Sequence, residues 1–253
     1  DGLTWTARTS GTTSSIYALT YSERDGLFVS GNSGGYTSTS TDAITWNTPR
    51  NANMSGNVIY ELIQDNGIYV ACGGYSRIST STDAITWTSR KNGVSGDYKG
   101  LTFAEGLFVC VGHGGHLNTS TDGITWDART SGTTNLIESV AHGNGKFVYV
   151  TTAGYIGTST DAITWAVNTS VTTTVMHKIV YGNGLYVATG ELGFSMVSTD
   201  ATSWYSVATG QTASNLSALT FVEGRGQFLA AGRTGALHLS TLTGSKEYSN
   251  SFT

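Results

Sequence analysis

STSTDAITW at 38–46 returns as STSTDAITW at 79–87, NTSTDGITW at 118–126, GTSTDAITW at 157–165 and MVSTDATSW at 196–204. Its tail, DGLTW, opens the chain at 1–5. Each of the six tryptophans closes one copy: Trp5, Trp46, Trp87, Trp126, Trp165 and Trp204, at spacings of 41, 41, 39, 39 and 39 residues. A period near 40 marks a repeat architecture, in which each unit buries its apolar face on its neighbours.

Working outward from the phrase, each unit contains four strand-like stretches. The first is apolar: IYALTY (16–21), VIYELI (58–63), YKGLTF (98–103), IESVAH (137–142), MHKIVY (176–181) and LSALTF (216–221). A glycine-bearing turn leads to a β-branched and aromatic second strand, such as LFVSG, IYVACG or LYVATG. A Ser/Thr-rich third strand runs into the STD turn, and a fourth strand is expected to begin at ITW. Short runs with glycine punctuation are hairpins, not helices. Four antiparallel strands in each of six units predict an all-β, six-bladed β-propeller. A parallel β-solenoid is the competing architecture, but its coils are shorter. Placing Ser240-Thr241 beside Asp1 regenerates STDGLTW, so residues 1–5 are expected to complete the last blade and close the ring. The prediction is one domain over 1–253 with a tail from about 242 to 253.

Only 12% of the residues are charged, and Ser, Thr and 33 Gly take their place. The net charge of −4 gives no electrostatic reason to expect a nucleic-acid partner. No run of 18 apolar residues is present, so membrane insertion is not expected. A chain beginning at Asp1 reads as a processed product, an excised domain or a sequence without its start. Cys72 and Cys110 fall at unmatched positions of neighbouring repeats and are expected to be two buried thiols.

The phrase resembles the Asp box of sialidase-like (BNR-type) propellers, S-x-D-x-G-x-T-W, on Ser40, Asp42, Thr45, Trp46 and their counterparts. It is a variant: four steps separate Asp42 from Trp46 where the family form has five, and the box glycine is missing. Physically, Asp1, Asp42, Asp83, Asp122, Asp161 and Asp200 should accept backbone N–H groups within a turn. The six tryptophans should pack between sheets. The resemblance implies that these turns face away from any ligand site, so the aspartates are expected to be structural and no metal or other cofactor is expected.

Two sets of residues vary on this constant scaffold. One is expected at a loop rim between strands two and three and between blades: Tyr36, Tyr75, Arg77, His113, His116, Tyr155, Glu191, Phe194 and Arg233. Aromatic rings beside Arg and His can stack on sugars and donate hydrogen bonds, or simply pack against adjoining blades. The other set lies near the start of the first strands: Tyr17, Tyr60, Glu61, Lys99, Glu138, His177 and Lys178. These are expected at the mouth of a central channel, either as a ligand site or as a solvated lining of paired charges.

The sialidase resemblance implies an arginine triad, a Tyr/Glu nucleophile pair, an Asp acid and, in many members, an F/Y-R-I-P segment. That segment is absent, since the only proline, Pro49, follows Thr48. No catalytic residues are expected, with a glycoside hydrolase kept as an alternative. His113-Gly-Gly-His116 offers two metal-ligand types without a third. Photosystem-assembly propellers carry similar boxes. In texture the repeats resemble bacteriophage fibre or appendage proteins and bacterial surface proteins. The expectation is a non-enzymatic binding or display propeller on an extracellular or virion surface. It would meet a cell-surface glycan or a protein partner at the rim, or serve as a structural part of a larger assembly.

Overall fold

The computed structural model describes residues 6–91, 96–168, 171–207, 214–232 and 237–239. Asp1, Trp5, Arg233, the tail and the closing strand lie outside the described residues.

The described strands form six antiparallel sheets in chain order. The first contains β1 (Ile16–Ser22), β2 (Leu27–Asn32), β3 (Tyr36–Ser40) and β4 (Arg50–Asn51). The second contains β5 (Ile59–Asp65), β6 (Ile68–Gly73), β7 (Arg77–Ser81) and β8 (Thr88–Lys91). The third contains β9 (Tyr98–Ala104), β10 (Leu107–Gly112), β11 (His116–Ser120) and β12 (Asp127–Thr130). The fourth has β13 (Ile137–Gly143), β14 (Lys146–Thr151), β15 (Ile156–Ser159) and β16 (Ala166–Val167). The fifth has β17 (Met176–Gly182), β18 (Leu185–Gly190), β19 (Ser195–Ser198) and β20 (Tyr205–Val207). The sixth has three described strands, β21 (Leu216–Val222), β22 (Gln227–Gly232) and β23 (Leu237–Leu239).

The chain divides into two compact units, 1–101 with 120–127, and 102–119 with 128–253. In the first unit, β5 lies beside β1, and Ile59 and Leu62 pack with Ala18 and Val29. Leu62 is 1% exposed because the first sheet covers it, whereas the equivalent Leu19 is 61% exposed. In the second unit, β13, β17 and β21 are neighbours in turn. Met176 and Ile179 pack on Val148 and Val150, and Leu216 and Leu219 pack on Val187. Cys72 and Cys110 are buried and unbridged.

The phrase builds one turn five times. Asp83 Oδ1 accepts the N–H groups of Ile85 at 2.8 Å and Thr86 at 2.7 Å, and the Ser81 hydroxyl at 2.8 Å. Asp42, Asp122, Asp161 and Asp200 accept the corresponding three groups. This capture moves the fourth strand. The N–H groups of Ile and Thr in ITW are spent on the carboxylate and cannot pair with strand three. The fourth strand therefore starts beyond the tryptophan, not at ITW.

The indoles also divide. Trp87 and Trp126 are buried, and each donates its Nε1–H to the residue after the aspartate, Ala84 or Gly123. Trp46, Trp165 and Trp204 are only partly buried.

Donated N–H groups stabilise the charged carboxylate, so all five aspartates have lowered pKa values; for Asp42, bonded by Thr45 and then Ile44, the value falls to about 2. A folded-state pKa below the unfolded one gives stability that is complete above about pH 4 and lost as pH falls toward 2. Thermal melts should therefore shift downward between pH 5 and pH 2. Asp83→Asn and Asp122→Asn should each flatten that slope; slopes identical to that of the parent protein would contradict the linkage.

Candidate functional site

An open cavity of about 580 Å³ lies in the second unit, where the end of β12 and the following loop meet the β14–β15 loop. Its walls are Arg129 and Thr130 from β12, the loop 131–135, Gly115, Tyr155 and Val167. Hydroxyl-to-backbone bonds shape the loop. Ser131, itself buried, donates to the Gly115 carbonyl at 2.6 Å. Thr133 Oγ1 accepts the Asn135 N–H at 3.1 Å and its side-chain amide at 3.2 Å. The buried Tyr149 hydroxyl donates to the Ser131 carbonyl at 2.7 Å. Such local bonds let Ser, Thr and Asn hold an irregular backbone in place.

Two glycines are required here. Gly115 (φ +75°) would place a Cβ 1.8 Å from the Thr133 carbonyl oxygen, and Gly132 (φ +81°) would place one 2.6 Å from Val167 Cγ2. Arg129 is oriented by its Nε–H, which donates to Thr119 Oγ1 at 2.9 Å. Tyr155 is held through its own N–H, bonded to Thr151 Oγ1 at 2.9 Å. The wall thus has one cation, one aromatic ring, hydroxyls, an amide and glycine backbone, and no carboxylate or imidazole.

Of the expected rim residues, Tyr155 lines this cavity. Tyr36 is half-exposed, with its N–H held by Asn32 Oδ1 at 3.1 Å. Arg77 opens β7 and is half-buried. Tyr75 stands at a loop tip, 78% exposed and in the left-handed region (φ 55°), with its N–H bonded to Asp97 Oδ1 at 3.0 Å. Leu192 repeats this between Glu191 and Phe194: φ 54°, 64% exposed, N–H bonded to Asn215 Oδ1 at 3.3 Å. Phe194 is partly buried and packs against core residues. His113 is exposed, while burial and then the nearby charge of His113 lower the pKa of half-buried His116. Among the described residues no group of three potential metal ligands occurs.

The first-strand set has a structural origin. The β1–β2, β5–β6, β13–β14, β17–β18 and β21–β22 ladders each shift register after the first residue. The residue left unpaired is Tyr17, Tyr60, Glu138, His177 or Ser217, a β-bulge that re-aims its side chain. In the first unit Tyr17 meets Tyr60 edge-on at 5.8 Å, and Lys99 Nζ sits 3.3 Å from the Tyr60 ring centroid. Glu61 follows the bulge on β5, and Lys178 follows it on β17.

Arg129, Ser131, Thr133 and Asn135 were not singled out by reading the phrase alone. A signal existed: ARTSGTT occurs at 128–134 and again at 7–13.

The fold is that of a β-propeller, and six sheets are consistent with six blades. Over 95% of its length the chain matches 80% of "YCF48 bound to D1 peptide", with TM-score 0.74 and 13% identity. Over 92% it matches 81% of the WD40 β-propeller domain of Doa1 (TM-score 0.72, 11% identity), and over 90% it matches 82% of YCF48 from Cyanidioschyzon merolae (0.69, 15%). Identities this low establish the fold alone. No protein-family model matches the sequence, and no curated protein matches it.

Proposed function

We propose that this chain is a non-enzymatic binding propeller of an extracellular or virion surface, and that the cavity beside Tyr155 takes up a cell-surface glycan. The observation that carries this reading is the chemistry of the wall. A tyrosine ring offers a stacking face, and Arg129, Ser131, Thr133 and Asn135 offer hydrogen-bonding groups to a hydroxyl-rich ligand. A wall without carboxylates lacks the acid pair that glycoside hydrolysis uses, which favours binding over the hydrolase alternative. The variant Asp-box turns serve as scaffold in this reading.

A glycan array probed with the labelled protein tests it. Tyr155→Ala should lower affinity for the bound glycans about tenfold, the equivalent of roughly 1.4 kcal/mol. No array signal, or full retention of signal by the variant, would remove the reading.

The second reading is a protein partner, as part of a larger assembly or appendage. It is favoured by Tyr75 and Leu192, two large exposed side chains on left-handed backbone, a conformation in which bulky residues are strained. A similar fold has been described with a bound peptide.

A further inference from the structure

We infer that residues 7–13, together with Tyr36, form a second copy of the saccharide-binding rim at 128–134 and Tyr155, so that one chain carries two equivalent sites. The inference rests on the glycan reading of the Tyr155 cavity. It arises from four correspondences within the first unit.

The loop sequence is the same, ARTSGTT, with Ser14 following where Asn135 follows in the other copy. The residues after Trp46, Trp87, Trp165 and Trp204 do not carry it. Two of the loop bonds are also the same, although Ser30 stands at the position from which Tyr149 reaches the Ser131 carbonyl. Ser10 Oγ donates to the Thr12 carbonyl at 3.1 Å, as Ser131 Oγ lies 3.1 Å from the Thr133 carbonyl. Thr12 Oγ1 accepts the Ser14 N–H at 3.1 Å, as Thr133 Oγ1 accepts that of Asn135 at 3.1 Å.

The glycines match in backbone conformation, though only Gly132 is closely approached by a neighbouring side chain. Gly11 has φ +72° and faces the segment after the first sheet's third strand, with its notional Cβ 3.7 Å from the Trp46 carbonyl oxygen. Gly132 (φ +81°) faces Val167 in the same part of the fourth sheet.

The tyrosines are held alike too. Each stands six residues before a box aspartate, Asp42 or Asp161. Each has its N–H bonded to the side chain of the last residue of strand two, Asn32 for Tyr36 and Thr151 for Tyr155. In both hairpins that last residue also accepts the N–H three positions on, Gly35 or Gly154, at 3.2 Å. The residue after it donates to the carbonyl just ahead of the first strand, Ser33 to Ser15 at 2.9 Å and Thr152 to Leu136 at 3.0 Å. Repeated side-chain chemistry on a repeated backbone presents the tyrosine ring, the arginine and the loop hydroxyls twice, with the Ser14 hydroxyl in place of the Asn135 amide. Two sites on one chain then convert modest single-site affinity into avidity for a surface that displays many copies of the sugar.

The experiment is a calorimetric titration with the free oligosaccharide that gives the strongest array signal. Parent protein, Tyr36→Ala, Tyr155→Ala and the double variant would be compared, with Arg8→Met as an independent change at the exposed second loop. Circular dichroism on each variant checks that it is folded. The expected result is two equivalents bound by the parent, one by each single variant, including Arg8→Met, and none by the double variant. One equivalent that is lost in Tyr155→Ala and unchanged in Tyr36→Ala and Arg8→Met would overturn the second site and leave the cavity reading standing. No array signal, or binding indifferent to all four variants, would overturn both.

Discussion

Trp87→Ala should cost about 3–5 kcal/mol, a deletion that leaves a cavity in a packed core. Trp87 is 4% exposed and clusters with Met54, Ile59, Leu62 and Tyr69. Its indole N–H is spent on the Ala84 carbonyl at 3.2 Å, so truncation also leaves that acceptor without its donor. Trp46 ends the same nine-residue phrase but is only partly buried. Less area leaves water there, and Trp46→Ala should cost about 1–2 kcal/mol. Urea denaturation of both variants gives the comparison directly. Equal losses would show that position in the phrase, and not burial, sets the energy.

Gly73→Ala should be comparably damaging for a different reason. The added Cβ would lie 1.8 Å from the Val58 carbonyl oxygen, a backbone atom that no rotamer change can move. The Gly74 N–H bonds to that same oxygen at 2.9 Å, so relieving the clash also stretches the bond that ties the end of β6 to the start of β5. Overpacking and a weakened hydrogen bond together suggest a loss of about 3 kcal/mol. Gly190 and Gly232 repeat the geometry, with notional Cβ atoms 2.1 Å from the carbonyl oxygens of Val175 and Asn215. Gly224→Ala is the control, because nothing lies within 4 Å of its notional Cβ. It should change stability by no more than about 0.5 kcal/mol. A Gly73→Ala protein as stable as the control would mean that β6 and the segment before β5 are not in contact.

The repeat made the sheets legible because strand pattern and turn chemistry agree in every copy. IYVACG at 68–73 reads as a short apolar run and is buried almost throughout, as an inner strand covered on both faces requires, and glycines punctuate the hairpins. The start of the fourth strand was not legible, because it depends on which N–H groups the aspartate captures, and composition does not show that. Nor was the difference between Trp87 and Trp46, which comes from the sheets around them and not from the phrase. The cavity was legible only in Tyr155. Apart from Arg129 and Val167, its other walls are Ser, Thr, Gly and Asn, residue types that recur in loops all along this chain, and they enclose a cavity only when Ser131, Thr133 and Tyr149 fix the loop. The bulged residues illustrate the opposite case. Tyr17, Tyr60 and Glu138 stood out as chemistry on a constant scaffold, but the unpaired register that turns them aside is a backbone property.

The loops that raise Tyr75 and Leu192 are fastened by main-chain atoms, through Asp97 and Asn215, and not by the raised side chains themselves. The apex residue is therefore cargo on a self-supporting mount. Exchanging it alters what the molecule displays while the clasp beneath stays shut, so new surface chemistry can be fitted at these points without rebuilding the blade that carries them.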